Sequence, residues 1–154
     1  MPRIKKIIQQ QKKKGKRIVL ANGCFDLIHV GHIRYLREAK EKGDILVVAL
    51  NSDSSVRQLK GKGRPILNQN ERAKIISSFS SVDYVTIFED NKVEKVLLAL
   101  KPDIHAKGSD YTEDTVPEKG TVKSYGGSMA IVGGAKINST SKLIERIACR
   151  TKKV

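Results

Sequence analysis

The stretch that decides the fold runs from Arg17 to Leu50 and reads RIVLANGCFDLIHVGHIRYLREAKEKGDILVVAL. It opens with a short β-branched apolar run, Arg17 to Asn22, closed by Gly23, which has the length and composition of a buried strand. Val30 to Lys42 then changes to helical spacing, with Ile33, Leu36 and Ala39-Lys40 on one side and Gly43 as a stop. Ile45 to Leu50 is a second unbroken apolar run, the pattern of a parallel strand covered on both faces. Strand, helix and strand in this order form a right-handed crossover unit.

The alternation continues toward the C-terminus. Ser52 to Lys60 reads as a brief helix leading into the loop Gly61-Lys62-Gly63-Arg64-Pro65, and Asn70 to Ser80 as another, capped by Asn70 or Asn68. Asp83 to Phe88 is a third strand, Lys92 to Leu100 a helix, and Asp103 to Lys107 a fourth strand. Pro117 to Tyr125 supplies one or two helical turns, Ser128 to Val132 a late strand, and Ser139 or Thr140 to about Cys149 a closing helix. Phe79, Phe88, Leu97 and Leu98 are expected in the core. The whole predicts an α/β single domain, a Rossmann-like doubly wound parallel sheet. Ligands of such sheets bind beyond the carboxyl ends of the strands, which points to four loops, 22–32, 51–65, 107–115 and 133–141.

Composition sets the outer limits. The chain has 154 residues, 39% hydrophobic and 30% charged, as in an ordinary globular domain. No stretch approaches the ~18 apolar residues of a membrane span, the N-terminus lacks the pattern of a secretory signal, and Cys24 and Cys149 show no metal-type spacing. A cytoplasmic protein with no membrane partner is expected. Thirty Lys and Arg against 16 acids leave a net charge of +14, a field that attracts anions without choosing among them. Much of the excess lies in residues 1–17, where Arg3, Lys5, Lys6, Lys12, Lys13, Lys14, Lys16 and Arg17 meet no acid. Ile4, Ile7 and Ile8 give that run a helical face, so residues 1–16 read as a basic helical extension, either docked with a solvated basic face or in contact with a polyanion.

The first loop carries the densest chemistry: Asn22-Gly23-Cys24-Phe25-Asp26-Leu27-Ile28-His29-Val30-Gly31-His32. His29 and His32, three residues apart at a helix start, can share one side of the turn. A helix N-terminus offers free N–H groups and a positive dipole end, and Gly31 leaves the backbone open to an approaching phosphate. Both histidines then serve as donors to a polyphosphate, stabilising charge that grows as its phosphorus is attacked. A metal site is the other reading of the pair, but no further ligands stand at suitable spacing. Cys24 reads as a small packing residue rather than a nucleophile.

The stretch ANGCFDLIHVGHIRYLREAKEKGD, placed after a strand and opening a helix, resembles the HxGH-containing cytidylyltransferase-like nucleotidyltransferases. SVRQLKGKGRPI at 55–66, NERAKIISSFSSVDYV at 70–85, PDIHAKGSDY at 102–111 and STSKLIERI at 139–147 follow in the order found in one subgroup. That subgroup is the D-glycero-β-D-manno-heptose 1-phosphate adenylyltransferases, found alone or fused behind a sugar kinase. The similarity covers about residues 17 to 148, and it names 17–150 as the nucleotidyltransferase domain.

The resemblance implies transfer of AMP from ATP, with Mg²⁺ on the triphosphate, to the phosphate of a heptose 1-phosphate, releasing pyrophosphate. It implies that His29 and His32 are catalytic and hold the triphosphate, with Asn22, Gly23, Phe25 and Gly31 lining the nucleotide side. Asp26 is then expected to face the sugar phosphate or an ordered part of its own loop. Arg57, Lys60 and Arg64 fall where the family places basic residues over the phosphates or the acceptor. Lys107, Gly108, Asp110 and Tyr111 match the loop beside base and ribose, while Ser139, Thr140 and Ser141 open the last helix toward the β- and γ-phosphates. Plain capping is the other reading of those hydroxyls. Glu71 and Arg72 are expected to cap and fasten their helix, a binding role being the other reading, and His105 is a structural substitution at a position where the family carries an aliphatic residue. No resident metal and no nucleic-acid partner are implied, and a homodimer is expected, as is common for such small transferases.

One departure matters. Where the subgroup has an aliphatic-Pro-aliphatic stretch and an acidic residue, this chain has Ile131-Val132-Gly133-Gly134-Ala135-Lys136-Ile137-Asn138. Three activities stay open at this point: adenylyl transfer to heptose 1-phosphate, cytidylyl transfer to glycerol 3-phosphate or a related phosphate, and non-enzymatic polyanion binding.

Overall fold

A continuous apolar run has no polar face to turn to water, so the runs of this chain pair with one another and are covered from both sides. In the computed structural model, which describes residues 1–135 and 139–151, five strands form one sheet. They are β1 (Ile18–Gly23), β2 (Ile45–Asn51), β3 (Tyr84–Phe88), β4 (Ile104–Gly108) and β5 (Ser128–Val132). Every pairing is parallel and the order is β3-β2-β1-β4-β5. The helices are α1 (Pro2–Lys13), α2 (Val30–Lys40), α3 (Asp53–Lys60), α4 (Gln69–Ser77), α5 (Glu94–Leu100), α6 (Lys119–Ser124) and α7 (Thr140–Thr151). This is the Rossmann-like single α/β domain expected from the sequence.

Alternation along the strands builds two core layers. Ile18, Leu20, Val47 and Ala49 face one side and pack with Ile4, Ile8, Val96, Leu97 and Val122 of α1, α5 and α6. Val19, Ala21, Leu46, Val48, Ile104 and Ala106 face the other side and meet Leu36, Ala39 and Ile76 of α2 and α4. Gly43 is needed for the return into β2, because a Cβ there would stand 2.8 Å from Val19 Cγ2 and 2.9 Å from the Arg17 carbonyl.

Several boundaries shift for visible reasons. α4 starts at Gln69 because Asn68 caps it, accepting from the Asn70 and Glu71 N–H groups while the Glu71 carboxylate accepts from Asn68 N. The helix stops at Ser77, where turns through Phe79 and Val82 bring Asp83 to accept from Leu46 N. α6 begins only after Glu118, whose carboxylate is engaged elsewhere, as described below. Two apolar residues expected inside are exposed. Leu98 is 50% exposed because α5 buries the stripe Val93, Val96, Leu97 and Leu100, which leaves the next position pointing out. Ile33, in the first turn of α2, is 40% exposed, although Leu36 and Ala39 further along the same side are buried. Lys136, Ile137 and Asn138 of the departing loop lie outside the described residues.

Candidate active site

The strand order reverses beside β1, since β2 and β3 extend to one side of it and β4 and β5 to the other. Loops leaving β1 and β4 therefore diverge to opposite faces and open a crevice between them. A cavity of about 520 Å³ occupies it. The ends of β1 and β4 supply Asn22, Gly23, Lys107 and Gly108, and the loop after β2 supplies Lys60 and Arg64. The start of α2 contributes His29, Gly31 and His32, and the start of α7 contributes Ser139, Thr140 and Ser141. All four loops singled out in the sequence reach this one cavity. Arg57 does not; it stands exposed on α3, outside the lining.

The two histidines form a built pair. His29 is the N-cap of α2, and its Nδ1 accepts from Gly31 N at 3.1 Å. His32 Nδ1 in turn accepts from His29 N at 3.4 Å, closing a reciprocal capping box. The rings stack with centroids 3.9 Å apart. With Nδ1 of each ring accepting a backbone N–H, a neutral ring carries its proton on Nε2. Burial, helped by the neighbouring His29, pushes the His32 pKa down to about 4, so His32 is a neutral donor near pH 7.

Beneath the pair, Phe25 takes a left-handed backbone (φ 46°), which strains a residue carrying a Cβ. Its ring lies 5.2 Å from the His32 ring and stacks on Tyr35. Gly23 makes room for that ring: a Cβ there would come within 3.0 Å of Phe25 Cε2. Tyr35 fastens α2 to β4 by donating its hydroxyl to the Ala106 carbonyl at 2.9 Å. Phe25 is buried, so its ring supports the histidines from below.

Two cations of the cavity bring their own carboxylates. Arg64 Nε donates to Asp26 at 2.7 Å, and Asp26 also accepts from Ile66 N and Leu67 N. Burial works against ionisation of Asp26, but the Leu67 and Ile66 N–H groups and the Arg64 guanidinium outweigh it and hold the carboxyl below the usual range. The oxygens of Asp26 thus hold the loop that carries Arg64, rather than a part of the 22–32 loop. Lys107, 8% exposed, donates to Glu118 at 3.0 Å and sits 4.9 Å over the Tyr111 ring. Lys60, exposed at the end of α3, forms no ion pair among the described residues. Cys24 also lines the cavity, and burial pushes its thiol up against the pull of Lys60, Arg72 and Arg64, which suits the packing role read from sequence.

The α7 hydroxyls do two jobs. Ser139 Oγ accepts from Lys142 N, a helix cap, and Thr140 donates to the Leu27 carbonyl at 3.1 Å, tying α7 to the β1 loop. Ser141 is exposed on the cavity wall. Asp110, also in the wall, lies on the exposed turn after β4.

Arg72 fastens far more than its helix. Fully buried, it donates to the carbonyls of Leu67 (3.0 Å), Cys24 (2.6 Å) and Asn51 (2.9 Å) and to Asp53 (2.7 Å). Sequence reasoning missed Asn51, Tyr35 and Glu118. Asn51 was detectable, since it ends the β2 run with a polar residue as Asn22 ends β1. Tyr35 follows His32 by one helical turn, a spacing that shares its face. Glu118 left no signal, because only the fold brings it to Lys107.

Comparison with known proteins agrees with this geometry. Residues 20–147 match the model of the family described as cytidylyltransferase-like. The chain is 48% identical over 141 residues to the bifunctional protein HldE of Pelobacter propionicus, covering 92% of this chain and 29% of that protein. Against the bifunctional protein HldE of Syntrophotalea carbinolica the values are 44% over 147 residues, 96% and 30%. The chain thus spans about three-tenths of the length of these curated relatives. Among solved structures, the lipopolysaccharide core biosynthesis protein of Thermoplasma volcanium superposes with a TM-score of 0.65 at 34% identity, covering 76% of this chain and 94% of that one. With the histidine pair at the switch point of the sheet and the family match across most of its length, the chain belongs to the cytidylyltransferase-like family of nucleotidyltransferases.

Proposed function

We propose that the protein transfers AMP from ATP to D-glycero-β-D-manno-heptose 1-phosphate, giving ADP-heptose and pyrophosphate. The observation that carries this reading is the stacked His29–His32 pair, which lines the same cavity as the α7 residues Ser139, Thr140 and Ser141. A phosphate oxygen of the acceptor attacks the α-phosphorus, a new P–O bond forms, and the bond to the bridging oxygen of pyrophosphate breaks. The attacking phosphate already carries its charge, so no general base is required and catalysis is alignment and charge stabilisation. His29 and His32 donate to the phosphate oxygens that gain charge, and Lys60 supplies the cation that no internal carboxylate cancels. Asn22, Gly23, Gly31, Lys107, Gly108, Asp110 and Tyr111 form the nucleotide side, with Ser139, Thr140 and Ser141 toward the leaving pyrophosphate. Arg64, held by Asp26, serves the acceptor side.

Among the described residues no cluster of three His, Cys, Asp or Glu could hold a metal. The donor set therefore fits Mg²⁺ arriving on ATP as part of the substrate, where it neutralises phosphate charge, rather than a resident ion. The chain's similarity to one part of a bifunctional protein and to a lipopolysaccharide core biosynthesis protein supports a sugar phosphate as acceptor. Among the described residues no helix is long and apolar enough to cross a membrane. A homodimer in the cytoplasm is the assembly we assign, to be checked by light scattering.

The test is pyrophosphate release with Mg²⁺, ATP or CTP, and a panel of sugar and alcohol phosphates. Release with ATP and heptose 1-phosphate is expected; release only with CTP and glycerol 3-phosphate establishes the cytidylyl alternative, and no release with any pair removes the enzymatic reading. His32→Ala is expected to lower kcat about 100- to 1,000-fold, the usual loss of one donor to a charged transition state. His29→Asn retains a capping oxygen and is expected to lose a similar factor with the melting temperature held. Unchanged rates in both variants would remove the pair from the site.

A further inference from the structure

His105 is the one histidine the proposed reaction does not use. It lies on β4 between Leu20 of β1 and Met129 of β5, on the sheet face covered by α1, α5 and α6, and is 0% exposed. Its Nε2 stands 3.0 Å from Asn22 Oδ1, at the end of β1, where Asn22 enters the cavity wall. Its Nδ1 is buried with no hydrogen-bond partner.

These facts fix the direction of the hydrogen bond. Burial, and then the charge of Lys107 two residues on, push the pKa of His105 down to about 3, so the ring is neutral with one N–H and one bare nitrogen. A proton on Nδ1 would bury an unpaired N–H, and Nε2 would have to accept from the Asn22 amide. A proton on Nε2 leaves only an unused lone pair at Nδ1. Orphaned buried N–H groups are the rarer and costlier defect. The Nε2–H ring is therefore the stable one, and it donates to Asn22 Oδ1. That bond occupies the amide oxygen of Asn22 and leaves its Nδ2 hydrogens for the cavity.

We infer that His105 is a positioning residue that commits the Asn22 side chain to act as a hydrogen-bond donor toward an acceptor atom of the bound nucleotide. The inference rests on the nucleotide-binding reading of this cavity, but its first test does not. An asparagine free to rotate offers donor or acceptor with little preference, and half of its orientations oppose a phosphate oxygen or a ring nitrogen. Held by His105, the amide meets the nucleotide already in the donating orientation, and the nucleotide no longer has to select it.

The experiment has two independent arms. Long-range ¹H–¹⁵N correlation spectra of the wild-type imidazoles are expected to show His105 as the Nε2–H tautomer; an Nδ1–H tautomer overturns the proposal whether or not the protein transfers a nucleotidyl group. In the kinetic arm, His105→Leu removes the donor and His105→Gln retains an amide N–H at similar reach. His105→Leu is expected to raise KM for ATP about tenfold, the value of one oriented hydrogen bond, with a much smaller change in kcat. His105→Gln is expected to restore most of the affinity. In an Asn22→Ala background, His105→Leu is expected to add nothing further, because its effect passes through Asn22. Equal KM values in the Leu and Gln variants, or additive losses in the double variant, overturn the assignment. If the wild-type protein shows no transfer with any substrate pair, the proposed function fails while the spectra still decide the tautomer.

Discussion

At the scale of single residues, the site uses histidines that resist protonation, and this links stability to pH. His32 and His105 have pKa values near 4 and 3 in the folded chain, against about 6.5 for the unfolded side chain. Between those limits the unfolded state binds more protons, so stability must fall as pH falls. The contribution of both groups is complete above pH ~6.5 and is lost progressively as the pH drops through the folded values. Asp26 acts in the same direction at lower pH, since its lowered pKa makes protonation below the usual carboxylate range destabilising. Melting temperature is therefore expected to decline from pH 7 to pH 4, and His105→Leu to show a shallower decline than wild type. Equal slopes in the variant and the wild type would show that His105 is not held neutral by the fold.

At the scale of elements, the entry to α4 holds the site loops in register. Arg72 gathers the carbonyls of Cys24, Asn51 and Leu67 and the carboxylate of Asp53, so one side chain joins the ends of β1 and β2 to the starts of α3 and α4. Arg72→Met keeps much of the volume but orphans three carbonyls, and it is expected to destabilise the protein by about 3 kcal/mol or more. Because the Cys24 carbonyl belongs to the loop that leads to His29 and His32, kcat is expected to fall as well; a variant with lower melting temperature and unchanged kcat would restrict Arg72 to stability. Asn68→Ala, which removes only the cap, is expected to cost about 1 kcal/mol in chemical denaturation. The contrast shows what the sequence makes legible. Apolar runs such as Ile45 to Leu50 and the cap at Asn68 are local signals, and they locate strands, helix starts and hence the four loops at the carboxyl edge. His29 and His32 are legible for the same reason, being three residues apart on one turn. The partners of Arg72, Lys107 and His105 come from distant elements, and nothing in the spacing of Glu118 or Asn22 announces them. The 50% exposure of Leu98 escapes the sequence because two adjacent leucines on a short helix look alike until the sheet selects one face.

At the scale of the whole molecule, charge is distributed in a way the site alone does not explain. The chain carries +14, yet two of the cavity's cations, Arg64 and Lys107, are already paired with Asp26 and Glu118. Besides Lys60 in the cavity, attraction of an anionic substrate draws on the surface, where Arg3, Lys5 and Lys6 of α1 are exposed while Ile4 and Ile8 anchor the helix in the core. A field assembled from exposed charges acts over a Debye length, about 10 Å at 0.1 M salt, and weakens as salt rises. Interactions within the cavity are short and buried, so screening reaches them less. Raising salt from about 50 to 500 mM is therefore expected to lower kcat/KM for ATP severalfold while kcat changes little. Replacing Arg3, Lys5 and Lys6 together by Gln is expected to flatten that dependence without unfolding the protein, because all three side chains face solvent. The measurement is kcat/KM against ionic strength for both proteins, with circular dichroism to verify the fold. A salt-independent kcat/KM in the wild type would show that the surface field does not guide the nucleotide, and identical slopes in the two proteins would assign the field to basic residues outside α1.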